Sequence, residues 1–200
     1  QRLNGAIVSA DSRMVYRRLD IGTGKPTWEH RQLTRSPWLK SRASIFGPVY
    51  TIDGIDHYGL DLVEPQTPFT LTDWLKVARP LIATLQSQGI QPIVVGGTGL
   101  YIRALIQGLE PPPTDPALRT AIEARSDDEL LDVVYEHDPV TAHKLQGNRR
   151  RLVRAVEVIE LTGRPISAPR NAAVLDAIVI APEVARTELY ARIDRRLHER

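Results

Sequence analysis

Four apolar runs of strand length, at residues 6–10, 60–63, 91–95 and 176–181, constrain this chain more than any other feature. Continuous short apolar runs are what strands buried on both faces look like. A helical pattern fills the space between the second and third: Thr70-x-x-Asp73 is a capping box, Leu71, Leu75, Ala78, Ile82 and Leu85 recur at helical spacing, and Gly89 ends the pattern. Strand, helix and strand in alternation imply an α/β core, a mostly parallel sheet with helices on its faces. None of the runs approaches the ~18 residues of a membrane span. No basic-then-apolar leader opens the chain, so the reading is a cytoplasmic protein without a membrane.

Composition narrows the chemistry. Over 200 residues, 42% are hydrophobic and 25% charged, a globular balance that excludes disorder as the main state. Cysteine is absent, which excludes disulfide frameworks, thiolate zinc sites and cysteine nucleophiles. His30, His57, His137, His143 and His198 show no metal-ligand spacing. Of 26 basic residues only Lys25, Lys40, Lys76 and Lys144 are lysine. Arginine's planar fork suits phosphate, so an anionic partner is one explanation; codon bias is the other.

From Pro111-Pro112-Pro113 onward the strand signal stops for some sixty residues. Asp115-Pro116, Ser126-x-x-Glu129 and Asp138-Pro139 are three successive helix starts, and a fourth helix, about 148–162, is closed by Gly163 and Pro165. These define a helical insertion over 113–171 within a core made of 1–112 and 172–200, with the strand at 176–181 returning to the sheet. Gln1 to Gly5 reads as the last turn of a helix with Gly5 as its left-handed cap, and 182–200 has helical periodicity without a closing cap. On this reading the chain is a fragment cut at both ends.

Three segments can carry chemistry. In Ile7-Val8-Ser9-Ala10-Asp11-Ser12-Arg13 a carboxylate follows a buried strand, where open α/β sheets bind ligands; the plainer alternative is an N-cap for a helix over 12–19. In Val94-Val95-Gly96-Gly97-Thr98-Gly99-Leu100-Tyr101 a strand runs through glycines into a helix whose free amides suit an anion; the alternative is a tight turn. In Asn148-Arg149-Arg150-Arg151-Leu152-Val153-Arg154, Leu152, Val156 and Ile159 form an apolar stripe, with Arg150, Arg154 and Glu157 on the opposite face. That face suits a sugar-phosphate backbone, or is simply solvated. Trp28, Trp38 and Trp74 read as packing residues. No G-x-x-x-x-G-K-[ST] phosphate loop occurs.

In this order the segments resemble the tRNA dimethylallyltransferases. The resemblance rests on Ser9-Ala10-Asp11-Ser12-Arg13-Met14-Val15-Tyr16, Leu19-Asp20-Ile21-Gly22-Thr23-Gly24-Lys25-Pro26, Gly96-Gly97-Thr98-Gly99-Leu100-Tyr101, Asp115-Pro116-x-x-Arg119, Arg151-Leu152-Val153-Arg154-Ala155-Val156-Glu157, Thr162-Gly163-Arg164-Pro165 and Ile193-Asp194-x-Arg196. It implies a P-loop-NTPase-like α/β core whose helical insertion grips the tRNA anticodon stem-loop. It further implies transfer of a dimethylallyl group from its diphosphate to the exocyclic amine of the adenosine following the anticodon. Asp11 is then the general base and Thr98 a hydrogen-bonding partner in the channel. Asp11, Ser12, Arg13, Met14 and Thr98 line its RNA side, and Arg119, Arg150, Arg151, Leu152, Val153 and Arg154 contact the stem-loop. Mg2+ enters on the diphosphate, whose binding loop is expected upstream of Gln1, and the protein works as a monomer. Three departures from the family pattern stand out. The phosphate loop is absent from this sequence, as are the C-terminal helices that normally follow Arg200, so these 200 residues alone are expected to be inactive. The stretch 28–58 is longer than the family pattern, with a β-hairpin as its default structure, and Met14 replaces a usual glutamine. The rivals are an isopentenyltransferase acting on free adenine nucleotides, a P-loop small-molecule kinase, and an inactive RNA-binding fragment.

Overall fold

The computed structural model describes residues 3–26, 30–34, 46–145, 147–168 and 175–198. The chain divides into two compact units, Gln1–Gly108 with Ala173–Arg200, and Leu109–Ala172. In the first, strands β1 (Gly5–Ser9), β2 (Gln32–Thr34), β3 (Val49–Ile52), β4 (Ile55–Tyr58) and β5 (Gln91–Val95) form one sheet in the order β2-β3-β4-β1-β5. β1 is parallel to both neighbours, placing Ile7 between His57 and Ile93. The pairs β2–β3 and β3–β4 are antiparallel, so the α/β sheet is mixed rather than mostly parallel.

The antiparallel wing comes from the long 28–58 segment. Ile52 faces Ile55 across Asp53 and Gly54, both with positive φ (50° and 75°). A two-residue hairpin turn of this kind needs left-handed backbone at both positions, which Asp-Gly supplies at low cost. The hairpin expected there thus extends the sheet. Trp28 and Trp38 lie outside the described residues.

Three sequence expectations are corrected. Gly5 is the first residue of β1, paired with Gln91, and not a left-handed helix cap; Gln1 and Arg2 are outside the described residues. The strand expected at 60–63 is instead β4, ending at Tyr58, because Gly59 (φ 82°) turns the chain over the Ser9 backbone. Residues 61 and 63 then bond the loop after β1: the Asp61 amide donates to Met14 O at 3.1 Å and the Val63 amide to Val15 O at 3.0 Å. The run at 176–181 joins no strand among the described residues, and Ile178 and Ile180 are 93% and 87% exposed. An apolar run becomes a strand only where another strand accepts its backbone groups, and among the described residues this run has no such partner.

Helix α1 (Leu71–Ser87) carries the expected capping box and buries Trp74, Leu75, Ala78, Leu81, Ile82 and Leu85. Helix α2 (Gly99–Ile106) follows β5 directly. Under the wing lies a closed ion cluster. The Lys25 side chain is fully buried; its Nζ donates to Asp61 Oδ1 (2.6 Å) and Tyr16 O (2.5 Å) and lies 3.4 Å from Asp20 Oδ1. Arg31, equally buried, donates to Asp61 Oδ2 (3.0 Å) and Asp20 Oδ1 (2.8 Å). Burial alone would raise the Asp20 pKa, but Arg31 and Lys25 hold it below the usual carboxylate value. Burial, and then the Asp61 carboxylate, push the Tyr50 phenol up to about 12. Two cations and two carboxylates thus pin the Asp20–Lys25 loop to the wing.

In the second unit the helix starts read from sequence are all present. Helix α3 (Pro116–Glu123) is capped by Asp115, whose Oδ1 accepts from the Ala117 and Leu118 amides; α4 (Asp127–His137) is capped by the reciprocal Ser126–Glu129 box. The Asp138 carboxylate accepts from the Thr141 amide in α5 (Pro139–Leu145), and α6 (Arg149–Thr162) runs from Asn148 to a left-handed Gly163. Ile122, Leu130, Val134, Leu145, Leu152 and Val156 share one core. The last helix, α7 (Arg186–His198), belongs to the first unit and buries no residue there. Among the described residues no helix is long and apolar enough to cross a membrane.

The Glu157 carboxylate of α6 is completely buried. It accepts from the Asp115 amide (3.0 Å), Arg119 Nη2 (2.7 Å) and Arg154 Nη1 (2.6 Å). Burial would raise its pKa, but the bonds from Arg154, the Asp115 amide and Arg119 hold it below the ordinary glutamate range. Arg154 also donates to the carbonyls of Pro113 (2.9 Å) and Pro112 (2.7 Å), tying the proline run to α6.

Both clusters are open to a stability test. Lys25→Met leaves the buried Asp61 and the partly exposed Asp20 carboxylates on one cation and is expected to cost about 3 kcal/mol, read as a lower urea midpoint; an unchanged midpoint would show that the cluster adds no stability. Glu157→Gln is expected to cost about 2–3 kcal/mol, at the low end because its arginines are partly exposed. A carboxylate with a depressed folded pKa contributes stability above its unfolded pKa that is lost as pH falls through the folded one. Thermal unfolding from pH 7 down to 3 should therefore show a steeper acid loss in the parent than in Glu157→Gln.

Candidate active site

β1 and β5 run parallel and end side by side, with Ser9 opposite Val95. The loops that leave the two strands are stitched to each other. The Ala10 amide donates to Val95 O (2.8 Å), and the Thr98 amide donates back to Ala10 O (3.1 Å). Gly96 permits this crossing: a Cβ there would lie 2.8 Å from the Ala10 Cα and nearer still to its carbonyl group. Thr98 Oγ1 accepts from the Ser12 amide (2.9 Å) and donates to Ser12 Oγ (3.2 Å). Thr98 stands at the N-cap of α2 without making a side-chain cap bond; its hydroxyl is spent across the site.

Asp11 Oδ1 accepts from the Arg13 amide (2.8 Å) and the Met14 amide (3.3 Å). This is the capping geometry expected of Asp11, although residues 12–18 form turns rather than a helix. It fixes the carboxylate while using one oxygen. Among the described residues no donor engages Oδ2, which lies on the Gly97 side, 3.9 Å from where a Cβ would stand. A carboxylate oxygen in such a position can accept a proton from a bound amine. Ser12 and Met14 are half-buried and Arg13 is exposed. Met14 packs against Tyr50, Ile52 and Leu60, and its sulfur accepts from Ser9 Oγ at 3.8 Å.

Two residues given no site role from sequence complete the frame. Trp74, read as packing, is buried, stacks on Tyr101 with centroids 4.7 Å apart, and donates from Nε1 to Ser9 O at 2.9 Å. Tyr101 is visible in the glycine motif, but only the fold shows which way its ring is held. Lys25 and Asp20 stand in the second motif, yet their partners Arg31 and Asp61 lie beyond its span. A cavity of about 370 Å³ beside that cluster, walled by Tyr50, Leu33, Pro48 and the Arg17–Glu64 pair, includes none of the expected site residues. Among the described residues no three His, Asp or Glu side chains converge as a metal site.

In the helical unit the arginines divide. Arg150 and Arg151 are exposed and make no ion pair among the described residues. Arg149 is taken by Asp127 and by the carbonyls of Glu123 and Arg125. Arg154, 23% exposed, and Arg119, 41% exposed, both hold Glu157. The expected solvent face shared by Arg150, Arg154 and Glu157 is therefore corrected: Glu157 is interior, and Arg154 bends in to meet it. Leu152 and Val153 are buried in the unit, which leaves their side chains no surface for a ligand.

A family model described as IPP transferase matches residues 14–200. The chain is 41% identical over 206 residues to tRNA dimethylallyltransferase 1 of Citrifermentans bemidjiense, covering 100% of this chain and 60% of that protein. It is 39% identical over 204 residues to the tRNA dimethylallyltransferase of Streptomyces avermitilis, covering 98% of this chain and 59% of that protein. Among solved structures, the full-length tRNA isopentenylpyrophosphate transferase of Bacillus halodurans superposes with a TM-score of 0.54 at 33% identity, over 99% of this chain and 58% of that one. The chain thus spans about 60% of the length of these relatives. With α/β topology, motif order and matched span in agreement, the chain belongs to the IPP transferase family.

Proposed function

We propose that this chain carries the acceptor half of a tRNA dimethylallyltransferase. The transfer takes a dimethylallyl group from dimethylallyl diphosphate to the exocyclic amine of the adenosine 3′-adjacent to the anticodon. The observation that carries the reading is the joint of β1 and β5, where a carboxylate fixed through one oxygen stands beside a Thr98–Ser12 pair. The names of the relatives, which act on tRNA, support it.

An aromatic amine conjugated to a purine is a weak nucleophile. Its nitrogen forms the new bond to the allylic carbon as the carbon–oxygen bond to diphosphate breaks, and Asp11 takes the amine proton. A positioned base of this kind contributes ~10²–10⁴-fold. Thr98 and Ser12 hold the Asp11 loop against the other strand end and border the channel, with Arg13 and Met14 on its RNA side. Mg2+ is carried on the diphosphate and supplies leaving-group stabilisation. Bringing the adenosine out of its stack costs a few kcal/mol, about 1–3 per stacked base, which stem-loop contacts must repay. Arg150 and Arg151 are open cations at the start of α6 suited to that backbone, while Arg119 and Arg154 act by keeping the unit folded around Glu157. The protein acts as a monomer in the cytoplasm, where its tRNA substrate resides.

The test, run on this chain joined to its upstream phosphate-loop segment, is transfer of labelled dimethylallyl from its diphosphate to an anticodon stem-loop, with AMP as the competing acceptor. Transfer to the stem-loop alone is the expected result; labelled AMP would favour a free-nucleotide enzyme, and stem-loop binding without transfer would favour an RNA-binding protein. Asp11→Ala should keep stem-loop affinity within about twofold and lower turnover by the ~10²–10⁴-fold of a lost base. Arg150→Ala/Arg151→Ala should weaken stem-loop binding and flatten its dependence on log salt by roughly 0.7–0.9 for each phosphate contact removed. An unchanged salt slope would remove both arginines from the interface.

A further inference from the structure

β1 ends on unequal supports. On the β5 side Ala10 is bonded through both backbone groups, its amide to Val95 O and its carbonyl to the Thr98 amide. Backbone groups alternate in direction along a strand, so those of Ser9 point the other way, toward β4. β4, however, stays in register only as far as Tyr58 opposite Val8, and Gly59 then turns the chain at φ 82°. The loop amides that follow, of Asp61 and Val63, go to Met14 O and Val15 O and not to Ser9. Ser9 is buried, and a buried carbonyl without a donor carries its full desolvation cost.

Trp74 takes the vacant place. Its Nε1 donates to Ser9 O at 2.9 Å, and both residues are buried. The capping box of α1 sets the turn that delivers the indole: Asp73 Oδ2 accepts from the Thr70 amide (3.0 Å), and the Trp74 amide donates to Thr70 O (3.0 Å). The indole face then stacks on the buried Tyr101 ring, with centroids 4.7 Å and planes 22° apart. The Tyr101 amide in turn donates to Thr98 O at 2.9 Å. One side chain of α1 therefore holds the end of β1 by a hydrogen bond and the start of α2 by stacking. Asp11 lies two residues beyond the first hold, and Thr98 three before the second.

We infer that Trp74 is a positioning residue for the transfer: its indole N–H replaces the ladder bond that β4 does not make, and its ring holds Tyr101, which together keep Asp11 and Thr98 at their spacing. The inference rests on the proposed transfer and adds a residue outside the motifs that sets its geometry. Buried as it is, Trp74 acts through Ser9 and Tyr101. Phenylalanine would meet a packing role, since it fills the stack, but it has no N–H to offer Ser9. A displacement on the order of 1 Å at a reacting group can cost ~10²-fold in rate, and contacts that bind the rest of the substrate do not feel it.

The experiment uses the chain joined to its upstream phosphate-loop segment. It compares the parent, Trp74→Phe and Leu85→Val in steady-state transfer to an anticodon stem-loop, at a temperature where circular dichroism shows all three folded. Leu85 is buried in the same helix, so its variant loosens packing and leaves the indole bond alone. Trp74→Phe is expected to lower kcat about 10- to 100-fold with the stem-loop KM within about twofold, the signature of a contact that matters to the reacting geometry. Leu85→Val should change neither by more than about twofold. Hydrogen exchange at the Ala10 and Thr98 amides should quicken in Trp74→Phe and not in Leu85→Val, a readout that needs no turnover. Parent-like turnover in Trp74→Phe, an equal loss in Leu85→Val, a change confined to KM, or unchanged exchange would each overturn the positioning role and leave the transfer in place. A parent that transfers nothing would overturn the transfer reading and this inference with it.

Discussion

The site depends on how closely two backbones can approach. β1 and β5 are adjacent parallel strands, and the chain beyond Val95 must cross the chain beyond Ser9 before it enters α2. At Gly96 that crossing leaves no room for a side chain, because the Ala10 backbone occupies the space. This contact sets up the Thr98–Ala10 and Thr98–Ser12 bonds, and those bonds place the Asp11 loop. A larger residue at Gly96 would separate carboxylate from threonine before it reached anything catalytic. The glycine motif therefore acts here as a spacer between strand ends. The described surroundings of Gly96 are the Ala10 backbone, and those of Gly97 the Asp11 carboxylate.

The sequence is informative wherever the physics is local. Capping boxes at Thr70 and Ser126, the Asp-Pro starts at Asp115 and Asp138, and the Gly163 stop each depend on a few neighbouring residues, and all are present. β1 and β5 lie within a residue of the expected runs. The features that escape it depend on distant partners. The 60–63 run is apolar enough for a strand, yet Gly59 and the loop after β1 decide where pairing stops. The 176–181 run has the composition of a strand and pairs with none of the strands among the described residues. The wing is legible only as a hairpin, since its junction with the sheet is set by β4 pairing with β1 across some fifty residues of chain.

The site is legible in part for the same reason. Asp11 and Thr98 stand in short motifs next to strands, and their juxtaposition is settled once those strands pair. The arginine helix misleads because helical spacing names a face without saying what lies against it. Glu157 shares a face with Arg150 and Arg154, and nothing local distinguishes that face from solvent. The proline run instead folds over it, presenting the Pro112 and Pro113 carbonyls to Arg154 and the Asp115 amide to Glu157. A buried carboxylate must recruit cations, and the nearest arginines are ones whose pattern suits RNA. Arg150 and Arg151 escape this because they sit a turn earlier, beyond Glu157's reach.

The outer side of β5 carries one more property. β5 is the last strand of the sheet among the described residues, with Ile93 and Val95 partly open to solvent. The Gln91 amide and the Val95 carbonyl turn inward to Asn4 and Ala10, so the backbone groups of residues 92 and 94 turn outward. Residue 92 is proline, which costs β1 no bond and removes one donor from the open border. A strand paired along this side of β5 would find a carbonyl but no N–H at Pro92, so any ladder there skips one bond.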